Sequence, residues 1–324
     1  MEEIVETGIR YKGYGVSIRE YCKKIGISLA RWYMLMRKVK GKEEPVKKAR
    51  FGRNVNALTE EEKDAIVKYA LGKPKYYHRE MAWRMVDENI VYTSASTVYR
   101  ILKENGLIRE NERKKRYGWV HRYSNEASYP DELWQADITY IRYRNRDIYQ
   151  LTFIDVYSRY VVLSVPLRSM DSTTVSRVFE RLIEQKQDEL QRRPKLQTDN
   201  GSCFIGSEFR GVVTRYLVEH TTIHPSTPTE NVIIERWHRT FKELLYEQEE
   251  PEDFETLVKN IQAACDYYNY KRYHSSLKYM TPYEWYRGEP ERIESERRMK
   301  LQEARLLRRA INCNKGKDSL FLTA

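Results

Sequence analysis

No apolar run in this chain approaches the length of a membrane span. The longest, around residues 160–166, falls far short of the roughly 20 residues a helix needs to cross a bilayer. The first residues, MEEIVET, contain neither the basic stretch nor the apolar stretch of an export leader, so a cytoplasmic, nucleoid-associated protein with no membrane partner is expected. Cysteine is scarce and scattered: Cys22, Cys203, Cys265 and Cys313 form no C-x-x-C pair, which argues against both a disulfide framework and a zinc site. The six histidines (78, 121, 220, 224, 238 and 274) are likewise without ligand spacing. Tyrosine is abundant at 26, yet no Ser, Tyr or His sits in a nucleophile arrangement. What the chain has in excess is positive charge, with 58 Lys+Arg against 47 Asp+Glu, a net +11 and a pI near 9.2. That balance favours a polyanionic partner, most simply nucleic acid.

Three carboxylates stand out by their settings. Asp137 lies in the strand-like run WQADITYI (134–141), Asp199 follows LQT just before Asn200-Gly201, and Glu235 opens the helical run ERWHRTFK (235–242). Taken singly, each has a bland reading: a turn residue for either Asp, a solvated helix carboxylate for Glu235. Taken together, three oxygen-rich side chains suit hard divalent cations such as Mg²⁺ or Mn²⁺. Two such ions can clamp the attacking and leaving oxygens of a phosphoryl transfer. Three other acids read as structural. Asp155 precedes a hairpin turn at 157–159, and Asp171 is placed to cap the helix that follows. Glu230 completes a capping box with Thr227.

The blocks WQADITYI, LQTDNGSCF and ERWHRTFK resemble, in order, the three signatures of the retroviral-integrase-like DDE transposases of bacterial insertion sequences. The 35 residues between Asp199 and Glu235 match the usual spacing of that family. The segment 267–277 with Met280-Thr-Pro282 is similar to the end of the family core, so the resemblance covers roughly residues 130–290. It implies that Asp137, Asp199 and Glu235 are the catalytic and metal-binding residues and hold two Mg²⁺ or Mn²⁺ ions. The implied reaction nicks double-stranded DNA at the element's terminal inverted repeats and passes the 3′-OH strand to target DNA. It also implies self-association, as a dimer or higher assembly on DNA. Two departures are visible. Asn231-Val232 stands where the family has Asn-Gly, and the His-His-Cys-Cys zinc module of retroviral integrases has no counterpart. The competing readings are a catalytically silent DNA-binding protein and a ribonuclease H-type nuclease without strand transfer.

Ahead of the core, residues 17–37 read as a helix-turn-helix. Ser17 and Ser28 are candidate N-caps, Gly26 lies in the turn, and Ile18, Tyr21, Cys22, Ile25, Leu29, Trp32 and Leu35 or Met36 form an apolar stripe. The second helix offers Arg31, Tyr33, Arg37 and Lys38 to a DNA groove or its phosphates. Residues 41–50 read as a linker. A second helical unit follows, with a capping box at Thr59 and Glu62, a helix over 78–88 carrying Met81, Trp83, Met85 and Val86, and a third helix begun by Ser94 or Ser96 and stopped by Gly106. Arg100 belongs to the 96–107 block, which is similar to a recognition helix. Residues 109–122, including Lys114 and Lys115, hold six Lys/Arg against two acids and offer backbone contacts to DNA.

From residue 133 the apolar period changes from helical to two. Runs at 133–143, 147–156 and 159–165 predict an antiparallel meander. A helix over 171–189, a strand at 195–199, a helix over 207–218 and a short strand at 221–223 follow, then the Glu235 helix. The fold class expected is α/β: a ribonuclease H-like mixed-sheet core preceded by all-α helix-turn-helix domains. The expected domains are residues 1–50, 51–125, 126–290 and a basic tail at 291–324. On the last helix, Ile234, Trp237, Phe241 and Leu244 share one stripe, while Glu235, Arg239 and Lys242 share another. The resemblance assigns Arg239 and Lys242 to the DNA end.

Overall fold

The computed structural model describes residues 2–39, 55–108, 127–144, 146–223 and 231–321. The 41–50 linker, the basic 109–122 stretch with Lys114 and Lys115, and the Thr227–Glu230 capping box lie outside the described residues. Contacts divide the chain into two units, Met1–Leu58 with Arg305–Ala324, and Thr59–Ala304.

The first unit is helical: α1 (Glu2–Gly13), α2 (Ile18–Lys24), α3 (Leu29–Val39) and the end of a long last helix. Ser17 and Glu20 exchange a capping box, each side chain accepting from the other's backbone N–H at 3.2 Å. Such a cap contributes about 1 kcal/mol. Ser28 Oγ accepts from Arg31 N at 3.2 Å. Gly26 takes φ +69 between the two helices, the left-handed region where a Cβ is costly. Tyr21, Cys22 and Trp32 are buried against Ile4, Ile18, Ile27, Leu29 and Met36. Ile25, expected in that stripe, is 40% exposed because it is the C-cap of α2 and leaves the helical phase. The helix α1 has no counterpart among the sequence expectations. It packs through Gly8, where a Cβ would come within 2.7 Å of Trp32 Nε1.

The second unit begins with α4 (Glu60–Gly72), α5 (His78–Asp87) and α6 (Ala95–Glu104). Thr59 and Glu62 form their capping box, Ser94 rather than Ser96 caps α6, and Gly106 follows it at φ +68. Met81, Met85, Val86, Val98, Ile101 and Leu102 are buried. Trp83 is only half-buried, with the Arg297 guanidinium 5.0 Å from its ring. Asp87 accepts from Arg297 Nε and Nη2 at 2.8 and 2.6 Å and from the Tyr273 hydroxyl at 2.8 Å. Those bonds tie α5 to the rest of its unit.

The sheet is built from β1 (Leu133–Tyr143), β2 (Arg146–Asp155), β3 (Val161–Leu167), β4 (Lys195–Thr198) and β5 (His220–Thr222), in the order β3-β2-β1-β4-β5. The first three form an antiparallel meander, and β4 and β5 add parallel to β1. Alternation along β1 sends Trp134 and Ala136 to one face, where they pack with α7 (Ser172–Lys186) and α9 (Ser207–Arg215) through Val175, Phe179, Phe209 and Val212. Ile141 and Ile154 belong to the other face, under α10 (Val232–Tyr246) and α11 (Phe254–Tyr270). A short α8 (Ser202–Ile205) follows β4, and α12 (Pro282–Tyr286) and α13 (Pro290–Phe321) close the chain. This mixed sheet with helices on both faces is a ribonuclease H-like core. Asp171 caps α7 as expected, accepting from Thr174 N at 2.8 Å.

Candidate active site

Register brings the two aspartates together. Ala136 on β1 lies opposite Thr198 on β4, so the next residue on each chain is an aspartate, on the same face. Gln135 and Gln197, one pair earlier, join their side-chain amides at 2.9 Å and fix that alignment. Helix α10 is set over the same spot by two bonds. Ile234 N donates to Gln135 Oε1 at 3.2 Å, and Trp237 Nε1 donates to Thr152 Oγ1 at 3.3 Å, Thr152 being the β2 partner of Asp137. Ile234, Trp237, Phe241 and Leu245 are buried beneath the helix. Losing either aromatic to Ala would cost about 3–5 kcal/mol. Leu244, expected in that stripe, is half-buried, and Leu245 takes its place.

The carboxylates are poorly compensated. Asp137 accepts at Oδ1 from Ile138 N at 2.8 Å, and Asp199 accepts at Oδ1 from Gly201 N at 2.9 Å. Glu235, in the first turn of α10, is exposed. Burial pushes the Asp137 carboxyl up to about 7. The negative charge of Asp199 adds to this, the Ile138 N–H opposes it, and Glu235 adds a smaller push. Asp199 and Glu235 therefore raise the cost of ionising Asp137, and a cation would remove that cost. Hard carboxylate oxygens are the donors that Mg²⁺ and Mn²⁺ take, so the donor set fits a divalent ion. The three do not converge on a single point: among the described residues, no group of three His, Cys, Asp or Glu side chains surrounds one ion position. Asp137 and Asp199 are register neighbours, and Glu235 stands near them on an exposed side chain.

Sequence reasoning passed over His238. It is buried, and its Nδ1 lies 3.5 Å from Asp137 Oδ2. Burial, helped by the Lys242 charge, lowers its pKa to about 4, so the ring is neutral at physiological pH and this is no ion pair. Its Nε2 is buried without a partner. The signal in the sequence is the i,i+3 spacing of His238 from Glu235.

The proposed DNA contacts fall in separate places. Arg239 is exposed and Lys242 half-exposed on α10, near Glu235. Arg31 and Tyr33 are exposed on α3, which also carries Arg37 and Lys38, whose side chains are not described. Arg100 is exposed on α6 and donates to Thr97 Oγ1 at 3.4 Å. Val232 is the first residue of α10, where no glycine is needed. Its neighbour Asn231 is the N-cap but makes no side-chain cap bond. Asp155 is fully buried and holds the β2–β3 turn, accepting from Ser158 N at 2.7 Å.

The mixed sheet thus sets two aspartates side by side, with a glutamate on the covering helix. Two family models described as Integrase core domain match the chain, one over residues 127–228 and the other over 216–282. Together the two models match the chain from before β1 through Pro282. The transposase for insertion sequence element IS904 of Lactococcus lactis subsp. lactis (strain IL1403) is 28% identical over 163 residues, which is 48% of this chain and 62% of that protein. The Gag-Pro-Pol polyprotein of Human T-cell leukemia virus 2 is 28% identical over 124 residues, 38% of this chain. The chain spans only 8% of that polyprotein's length. Among solved structures, the HTLV-2 integrase catalytic core domain in complex with magnesium is similar at 20% identity and a TM-score of 0.41, covering 50% of this chain and 99% of that one. A simian T-cell lymphotropic virus intasome structure in complex with PP2A regulatory subunit B56 gamma is similar at 19% identity and a TM-score of 0.45, covering 69% and 74%. Among the described residues no helix is long and apolar enough to cross a membrane.

Proposed function

We propose that the chain is a DNA transposase that nicks the ends of its element and transfers the freed 3′-OH strand to target DNA. The observation that carries this reading is the β1–β4 register, which sets Asp137 beside Asp199 under the first turn of α10. The integrase core matches and the transposase relative support it. Asp137, Asp199 and Glu235 would hold Mg²⁺ or Mn²⁺, two ions in the full complex, with Glu235 completing the set from its exposed position. When bound, the ions activate the attacking oxygen and neutralise charge on the phosphate. The rest falls to the protein's own side chains. Asp137, whose carboxyl burial pushes up to about 7, would serve as a ligand in its ionised form. His238, neutral and packed beside Asp137, restricts where that carboxylate can point. Arg239 and Lys242, on the Glu235 side of α10, hold the DNA end.

Sequence recognition falls to the helices upstream of the core. Arg31, Tyr33, Arg37 and Lys38 on α3 and Arg100 on α6 contact the terminal repeats, and Lys114 and Lys115 contact the backbone between them. Joining two ends requires two centres, so the protein works as a dimer or larger assembly on DNA, in a cytoplasmic, nucleoid-associated setting. The test uses a labelled end duplex, Mg²⁺ or Mn²⁺ and a plasmid target. Asp137→Asn, Asp199→Asn and Glu235→Gln should each abolish nicking and joining while end binding persists. Joined product surviving all three would refute the site. Hydrolysis by the wild type with no joining would mean a ribonuclease H-type nuclease instead. Tight end binding with no reaction would mean a silent DNA-binding protein.

A further inference from the structure

Beside the carboxylate centre, on a neighbouring face of α10, three arginines open onto one cavity of about 320 Å³. Arg236 comes from α10, Arg159 from the β2–β3 turn, and Arg272 from the segment after α11. None of the three is paired with a carboxylate among the described residues. Arg159 donates to the Val156 carbonyl. The nearest acid to it, Asp155, already accepts from Asp131 N and from Ser158 N and Oγ. Gathering three guanidiniums without counter-charge is unfavourable, and the structure records their closeness. All three lower the pKa of His274, which burial takes down to about 3, and all three act on the buried Tyr268 hydroxyl. The chain also places Arg159 at φ +64, a left-handed conformation that a non-glycine residue adopts only at a cost.

Two further features point to an absent anion. His274 lines the cavity as a neutral ring, and its Nε2 is buried with no partner. Val232 and Ile233 line it too, so the positive end of the 15-residue α10, uncapped by any side chain, opens there as well. The hydroxyls of Ser275 and Ser276 complete a donor-rich wall. A cavity with three forked guanidiniums, an imidazole, two hydroxyls and a helix N-terminus matches the tetrahedral oxygens of a phosphate.

We propose that this cavity is a phosphate site that grips the DNA backbone next to the carboxylate centre. The inference rests on the DNA-processing function proposed above and deepens it. Arg236 follows Glu235 directly in α10, so a strand whose scissile phosphate lies at Glu235 passes within reach of the cavity. The site fixes the path of that strand, while Arg239 and Lys242 hold it from the other flank of the helix. A free phosphate or nucleotide presents the same oxygens, and the test separates the two sources.

The experiment measures affinity of the full chain for a labelled duplex against salt concentration, for wild type, Arg236→Gln, Arg272→Gln and the control Arg181→Gln on the exposed surface of α7. Each pocket variant should bind about tenfold more weakly at moderate salt and should lower the slope of log K against log salt by about 1. Arg181→Gln should change neither. Arg236→Lys, which keeps the charge, should keep the slope and so rescue the reading if a Gln variant folds poorly by circular dichroism. In parallel, inorganic phosphate is compared with chloride at equal ionic strength. It should raise the melting temperature of the wild type and not that of Arg236→Gln. Unchanged slopes in both pocket variants would overturn the proposal. Phosphate protection without any change in DNA slope would overturn it in favour of a free-anion site. A wild type that binds DNA normally but joins nothing would sink the transposase reading alone and leave this one standing. A wild type that binds no DNA would sink both.

Discussion

Two acidic clusters flank β1, one shared with β2 and the other with β4, and they are satisfied very differently. Asp131, just before β1, and Asp155, at the end of β2, are both buried, yet six donors reach their four oxygens. Asp131 accepts from Trp134 Nε1, the Tyr286 hydroxyl and Arg287 Nη2 at 2.9, 2.7 and 2.7 Å. Asp155 accepts from Asp131 N, Ser158 N and Ser158 Oγ at 2.9, 2.7 and 2.5 Å. Asp137 and Asp199 receive one backbone N–H each. Burial raises both Asp155, to about 6, and Asp137, to about 7, but hydrogen bonds pull Asp155 down whereas neighbouring charges push Asp137 further up. A buried acid with its partners in place is architecture. A buried acid surrounded by other acids waits for something positive from outside.

The largest effect should separate the clusters by stability. Asp155→Ala strands three buried donors and should cost on the order of 3–5 kcal/mol in urea unfolding. Asp137→Asn removes a repelled charge and should leave stability unchanged or raised. Equal losses at the two positions would erase the distinction.

Acid should expose a second contrast. His274 and His238 have pKa values lowered from 6.5 to about 3 and about 4, so both are neutral in the fold. Their contribution is fully present above pH 6.5 and is lost as pH falls from there through the folded-state values, where the unfolded chain takes up protons first. The loss should reach a few kcal/mol. His274→Gln should flatten this acid limb, and an unaltered limb in that variant would show that His274 is not its source.

Divalent ions should act on one cluster alone. Mg²⁺ at about 100 times its dissociation constant should stabilise the wild type by about 2.7 kcal/mol, and EDTA should reverse the gain. Asp155→Asn should still respond, and Asp137→Asn should not. A melting shift that persists in Asp137→Asn would place the ion elsewhere.

The smallest structural change should have a selective effect. At Gly201 a Cβ would sit 2.9 Å from Asp199 Oδ1, and since only that carboxylate must turn away, Gly201→Ala should cost less than about 1 kcal/mol of stability. Metal-dependent nicking should nevertheless weaken several-fold, because the carboxylate is displaced. Normal nicking with normal stability would show that Asp199 tolerates the turn.

Much of this was legible in sequence because local chemistry decided it. Ser17 with Glu20, Thr59 with Glu62, and Asp171 announce helix starts through side chains reaching their own backbone, and the strands of the meander announce themselves by period. The three carboxylate blocks carry the proposed centre, two of them brought together by the β1–β4 register. What was not legible depended on partners distant in sequence. His238 matters because β1 lies beneath it. Arg159, Arg236 and Arg272 form a cluster only once the β2–β3 turn, α10 and the end of α11 meet. Leu245 rather than Leu244 is buried once α10 packs on the sheet through Gln135 and Thr152. Ile25 falls out of its stripe for a smaller reason, since a helix end breaks the periodicity that predicted it.

The Gln135–Gln197 amide pair has a consequence for biosynthesis. A shift of one residue between β1 and β4 would turn Asp199 to the opposite face of the sheet from Asp137, giving a compact chain with no centre. The right alignment joins segments some sixty residues apart, and α10 clamps it only when Ile234 and Trp237 reach Gln135 and Thr152. A ribosome-bound chain that has not yet released α10 therefore holds two aspartates and no completed site. On the proposed function, nicking would arrive last, once Ile234 and Trp237 have clamped the strand alignment, and an unfinished copy would leave DNA intact.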